Sequence, residues 1–186
     1  MDISEKIKEF MSSRKQPTQG AVATGKVENA PEQVDYTDTV HFIESGRGTN
    51  MRAKTSSAKG HFQFIDSTWN GFVKQYNLGY KPEDVFDYEK SKKVFDLYTA
   101  ENKKVLKKGL NREPNFTETY LAHKLDGKNA VKLLKASPDL PAEKVVSKAA
   151  LAANRNVFYN KDGTPKTVMQ VYSHFNNYFL PKSKQK

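Results

Sequence analysis

The chain has 186 residues, enough for one compact domain with a core and some length to spare. It has no cysteine, which excludes disulfides and thiolate chemistry, and no apolar run of about 18 residues that would read as a membrane span. The net charge is +10, and residues 1–34 balance five basic against five acidic side chains, so the excess lies in residues 35–186. That excess is either a solvated surface or an attraction toward an anionic polymer, nucleic acid or bacterial wall.

The first segment, "MDISEKIKEFMSSRK", lacks the long apolar stretch and small-residue cleavage site of a secretory signal, so none is expected. Residues 3–11 read as a short amphipathic helix on Ile3, Ile7 and Phe10. The Gly-, Pro- and polar-rich stretch after it has no periodicity and reads as a flexible arm. The expected organisation is an arm over 1–34, a single domain over 35–181 and a basic tail over 182–186.

Within the domain the pattern is mostly helical. Val40, Ile43 and Glu44 fall on one helical face. Trp69, Phe72, Val73 and Tyr76 recur at i, i+3, i+4 and i+7, with Asp66 or Ser67 placed to cap. A longer helix is expected over 88–108, with Val94, Phe95, Tyr98 and Val105 on it. Asn115 and Glu118 have capping-box spacing at the head of the next helix. Helices follow at 127–136 and 141–152, and Thr167 with Gln170 opens a last helix whose apolar face is Val168, Val171, Tyr172 and Phe175. Strand signals are few: "HFQF" alternates, and Asp162-Gly163 could turn a small hairpin. The fold class expected is mainly α.

Metal chemistry finds no support. Histidines stand at 41, 61, 123 and 174 with no metal-ligand spacing, and "NKDGTP" lacks the downstream ligands of a calcium loop. There is neither a phosphate-binding loop nor a GxSxG elbow. Lysines interleave with aromatics at 88–110 and 123–135, but they fall mostly on polar helix faces, so nucleic acid is not the expected partner. Glu44 is the anomaly, a carboxylate on an inward-facing arc, where an unpaired charge is expensive. It could pair with Arg47 or Arg52, or it could be an acid kept protonated for chemistry.

The stretch "ESGRGTNMRAKTSSAKGHFQFIDSTW" holds that glutamate, a Gly- and Ser-rich loop, then a glutamine before a helix. It resembles the lysozyme-like lytic transglycosylase domain, whose signature is Glu-Ser, a loop, then Gly-x-x-Gln leading into a helix. Glu44-Ser45 and Gly60-His61-Phe62-Gln63 match it at the family's usual separation. "GHFQFIDSTW", "TYLAHKLDGKNAVKLLKA" and "AALAANRNVFYNKDGTPKTVMQVY" look like three blocks of bacteriophage endolysins and virion-associated muralytic enzymes of this type, and they stand in the same order. Together they span roughly residues 36–173; the arm lies outside the match.

The resemblance implies a lysozyme-like α+β fold with a minimal hairpin, and cleavage of the β-1,4 bond between N-acetylmuramic acid and N-acetylglucosamine. Glu44 would be the general acid and then the base, with no second carboxylate and no cofactor or metal. Most glycosidases use a second carboxylate, and Asp35, Asp38 and Asp66 are available, although none lies in a motif that would place it. Supporting roles are expected for Ser45, for Ser57 in the loop, for Phe62 and Gln63, and for Tyr120, whose hydroxyl could orient Glu44. Gln63 would point opposite to both flanking rings in an extended chain, and at least one ring is expected in the core. His123 lies one turn beyond Tyr120, with Leu121 and Leu125 on another side, so this helix is expected to form a cleft wall. Asn154 and Tyr159 are candidate glycan contacts. The family's Tyr-Asn-x-Gly is replaced here by "YLAH", so its asparagine contacts do not carry over.

The implied partner is the peptidoglycan glycan strand, with a monomer expected and with residues 1–34 available to hold an anionic bacterial surface or a virion component. The implied location is host cytoplasm or virion, acting on the wall. A hydrolytic lysozyme using the same acid remains open, as does a basic domain that binds glycan or nucleic acid without cutting it.

Overall fold

A computed structural model describes residues 35–54 and 56–180; the expected helix at 3–11, the arm and the basic tail lie outside them. The described residues are mainly helical, with eight α-helices and no sheet or barrel. They form two compact units, residues 35–102 and the described residues from 103 onward.

The first unit opens with α1 (Tyr36–Ser45), capped by Asp35, whose carboxylate accepts from the Asp38 amide at 2.7 Å. Gly46 ends the helix at φ 58, a left-handed conformation that glycine adopts without strain. Helix α2 (Asp66–Gln75) follows, then a 3-10 turn at Pro82–Phe86, and then α3 (Tyr88–Leu110), which runs on into the second unit. Aromatic rings fill the core of the first unit. Phe62 stacks on Phe95 at 4.2 Å, Tyr36 lies on the same Phe95 at 5.9 Å, and Phe64 meets Trp69 and Tyr98. Val40, Val85 and Val94 close the gaps.

Two expectations for this unit change. Asp66 does not cap α2: the cap position is Ile65, with no side-chain hydrogen bond, and Asp66 instead pairs with Lys59 at 2.6 Å in the first turn, where an acid also suits the helix dipole. "HFQF" is a turn with an isolated bridge between Lys59 and Phe64, since a carbonyl and an amide on one short loop satisfy each other locally.

In the second unit α4 (Phe116–Leu125) is central, packing against α5 (Gly127–Lys135) and α8 (Val168–Asn176). The expected capping box forms: Asn115 accepts from the Glu118 amide and Glu118 from the Asn115 amide, both at 2.9 Å. Thr167 and Gln170 form the other, and Val168, Val171, Tyr172 and Phe175 are all buried. The expected helix at 141–152 is divided. A 3-10 turn spans Ala142–Lys144, and α6 (Lys148–Ala153) begins only after Ser147, which caps it through the Ala150 amide. Pro141 is held instead in a bridge to Thr167. The short α7 (Arg155–Phe158) leads into the Asp162-Gly163 turn, where the expected hairpin is reduced to one isolated bridge between Tyr159 and Pro165.

Candidate active site

Glu44 stands one residue from the end of α1. At about 100° per residue it lies about 40° from Val40 and about 60° from His41 around the helix. Val40 is fully buried and His41 nearly so, yet Glu44 and Ile43 are only half-buried. Glu44 thus sits on the inward arc of α1 yet still reaches solvent at its last turn. The enclosure expected for an apolar pocket is therefore partial.

The two arginines expected as competing partners are engaged elsewhere. Arg47 forms a two-pronged bond to Asp38 at 2.8 and 2.6 Å, and Arg52 lies over the Phe86 ring at 4.5 Å. The Arg47 hydrogen bond holds the Asp38 carboxyl below its usual range. The phenol of Tyr36 is held well above its usual range, first by burial, then by Tyr98 and by the charge of Glu44.

Ser45 is the structural pivot. Its buried hydroxyl donates to the His61 carbonyl at 2.8 Å, with a second contact to the His41 carbonyl at 3.2 Å, and accepts from the Gly48 amide at 2.9 Å. One oxygen thus ties the end of α1 to the loop after it and to the Gly60–Gln63 turn. Gly60 has φ 80, and a Cβ there would lie 2.2 Å from the Val85 carbonyl oxygen, so only glycine fits. Gln63 adopts φ 49, a left-handed conformation, and its amide donates to Gly60 O at 3.0 Å and Asn50 O at 3.2 Å. Asn50 in turn donates its amide to the Ser45 carbonyl at 2.8 Å. Gln63 is therefore set opposite to its neighbours by a kinked turn and not by extended chain. Phe62 and Phe64 are both core, so Phe62 acts by packing on Phe95 and does not present a surface. Ser57 is exposed in the loop.

Sequence reasoning missed a histidine pair that joins this turn to α1. His41 Nε2 and His61 Nδ1 are 2.8 Å apart, and His61 Nε2 reaches the Phe86 carbonyl at 3.2 Å. A carbonyl can only accept, so His61 carries its proton on Nε2 and accepts from His41 on Nδ1. Tyr88 packs against both rings. Burial, then the neighbouring His61, lowers the His41 pKa. Twenty residues separate the pair, and no periodicity could have joined them.

The remaining candidates belong to the second unit. Tyr120 is buried, its ring enclosed by Phe175, Tyr178 and Phe179 and stacked on His123 at 5.7 Å. The division of α4 into a polar and an apolar side does not hold. Thr117, Glu118, Thr119, Leu121, Ala122 and Leu125 are also buried, so α4 is a core helix, with His123 and Lys124 half-buried in its last turn. Its buried threonines and glutamate are satisfied: Thr117 donates to Asn176 at 3.0 Å, Thr119 to the Asn115 carbonyl at 2.8 Å, and Glu118, 0% exposed, takes a two-pronged bond from Arg112 at 2.8 and 2.6 Å. Asn154 uses its side-chain amide on the Lys124 and Ala150 carbonyls, which joins helices and leaves it a structural post. Tyr159 is half-buried and its hydroxyl donates to Glu143, which raises its pKa.

Among the described residues no group of three His, Cys, Asp or Glu side chains could hold a metal ion, and no helix is long and apolar enough to cross a membrane. No protein-family model matches the sequence.

Proposed function

We propose that the chain is a muralytic enzyme that cleaves the N-acetylmuramic acid to N-acetylglucosamine bond of peptidoglycan as a lytic transglycosylase, with Glu44 as its acid and base. The observation that carries the reading is the Ser45 hydroxyl, which ties the glutamate-bearing helix end to the Gly60–Gln63 turn. The two halves of the motif resembling the transglycosylase signature are thereby one hydrogen-bonded unit. A half-buried carboxylate on the residue before that tie is suited to delivering a proton to a bound glycosidic oxygen.

Each of the three aspartates considered as a second carboxylate already has a partner, which favours the transglycosylase over a two-carboxylate hydrolase. Asp35 caps α1, Asp38 is clasped by Arg47, and Asp66 is paired with Lys59. In the proposed reaction Glu44 gives its proton to the leaving oxygen as the bond to the anomeric carbon breaks. The substrate's N-acetyl group stabilises that carbon. The Glu44 carboxylate then takes the proton of the muramic acid 6-hydroxyl, whose oxygen closes on the anomeric carbon. The product is a 1,6-anhydro sugar, no water is consumed, and Glu44 is again protonated. The excess positive charge favours encounter with an anionic wall.

The test is to digest purified peptidoglycan with wild type and Glu44→Gln and to weigh the fragments. Anhydro ends from wild type alone are expected. Reducing ends would identify a hydrolase using the same acid, undiminished cleavage by Glu44→Gln would overturn the assignment, and no cleavage by either protein would identify a binding domain.

A further inference from the structure

A second feature, in the unit from residue 103 onward, is not used by that reaction. Helix α7 and the turn after it border an open hollow of about 550 Å³, lined by Arg155, Asn156, Tyr159, Asn160, Lys161 and Gly163. Its size is that of sites for ligands of a few residues. We propose that this hollow binds an acidic peptide through its carboxylates.

The hollow is preformed. Asn160 donates its amide to Thr164 O at 2.8 Å, Gly163 to Asn160 O at 3.0 Å and Lys166 to Phe158 O at 2.8 Å. The Asn160 side chain adds a bond to the Thr164 hydroxyl at 2.9 Å. Gly163, at φ 85, makes the turn and has open space where a Cβ would stand. The recognition group is preformed as well. Glu143 accepts from the Tyr159 hydroxyl and fixes the ring, and the Arg155 guanidinium lies 4.5 Å from that ring's centroid. A guanidinium over a ring face keeps a fork of donors for a further partner.

The charge at the rim is available. Arg155 and Lys161 are exposed, and among the described residues neither is paired with a carboxylate. The acids nearby face other partners. Asp162 accepts from the Thr164 amide and hydroxyl, at 2.9 and 2.7 Å, and Glu143 is held by Tyr159. Lys166 reaches the Asn156 carbonyl at 3.4 Å. A guanidinium fork and an ammonium suit carboxylates and phosphates alike, but the Asn156 side-chain amide adds a donor and an acceptor that match a peptide bond. A glycerol- or sugar-phosphate backbone has no such group. On the function proposed above, on which only this last step rests, the source would be the acidic peptide carried by wall glycan.

The test needs no glycan, so its outcome is separate from cleavage. The isotope-labelled full chain is titrated with acetyl-Ala-Glu-Asp-amide, with its Gln/Asn counterpart, and with glycerol phosphate, following backbone amide signals. The acidic peptide should shift amides over residues 155–163, and the neutral peptide and the Arg155→Ala/Lys161→Ala variant should each lose about tenfold or more in affinity. Both side chains are exposed, so the variant keeps its fold, which its unshifted distant signals would verify. Shifts scattered over the lysine-rich surface, equal binding by the double variant, or glycerol phosphate binding as tightly as the peptide would each overturn the proposal.

Discussion

Replacing Gly60 with alanine tests the geometry of the motif turn. Two penalties add there. At φ 80 an L side chain sits in a strained backbone region, which costs about 1–2 kcal/mol. The new Cβ would also lie 2.2 Å from Val85 O and 2.8 Å from Val85 Cγ2, so the Pro82–Phe86 turn must move, at about 1–3 kcal/mol for forced overpacking. The expected loss is about 3 kcal/mol, a large share of the roughly 5–15 kcal/mol that holds a domain together. Gly79→Ala shares the positive φ, at 68, but meets nothing within 4 Å, so it should show the strain alone, about 1 kcal/mol. Gly71 lies inside α2 with open space around it, and Gly71→Ala should stabilise by about 0.5–1 kcal/mol. Urea titrations would be followed by fluorescence of Trp69, the single tryptophan, which is buried in this unit and donates to Lys81 O. The reasoning fails if Gly60→Ala costs no more than Gly79→Ala.

Other consequences can be checked in the same way. Ser45→Ala leaves the His61 carbonyl and the Gly48 amide without their shared partner and should cost about 1–3 kcal/mol by urea titration, with cleavage falling too; a neutral result would mean that the hydroxyl is not the tie. Arg112→Ala removes the charge partner of the fully buried Glu118, leaving it the Asn115 amide, and should cost about 3 kcal/mol, read as a lower melting temperature by circular dichroism; an unchanged melt would refute the buried pair. For pH, His41 is depressed in the folded chain, so the unfolded chain binds more protons below about 6.5 and stability falls as the pH drops from there toward the folded value. The lowered Asp38 adds a loss only at lower pH, beneath about 3.9. His41→Gln should flatten, without abolishing, the decline in urea midpoint between pH 7 and 5, because His174 is also depressed by burial; an unchanged slope would contradict this.

What could be read in the sequence was local. Asn115 with Glu118 and Thr167 with Gln170 cap their helices because a capping box needs only residues three apart. The apolar face of α8 was legible because one side of it is core. Helix α4 was less legible. Tyr120 is buried like Leu121 and Leu125, and Thr117, Glu118 and Thr119 are buried as well because Asn176, Arg112 and Asn115 satisfy them inside the protein. Asp66 misled because Lys59, seven residues earlier, binds it across the loop. At the candidate site, Glu44-Ser45 and Gly60-Gln63 were legible as a pattern. The kink at Gln63 and the histidine pair were not, since both depend on contacts that the fold makes over longer separations.

The Ser45 hydroxyl also bears on motion. Because one oxygen serves the loop after α1 and the Gly60–Gln63 turn together, neither can swing away without releasing the other. Local opening should therefore be all-or-none across the two. The Gly48 amide, which donates to Ser45, and the Gly60 amide, which donates to Met51 O, should exchange hydrogen with the same opening free energy, and Ser45→Ala should let them part company. Any ligand that draws on one loop would then order both at once.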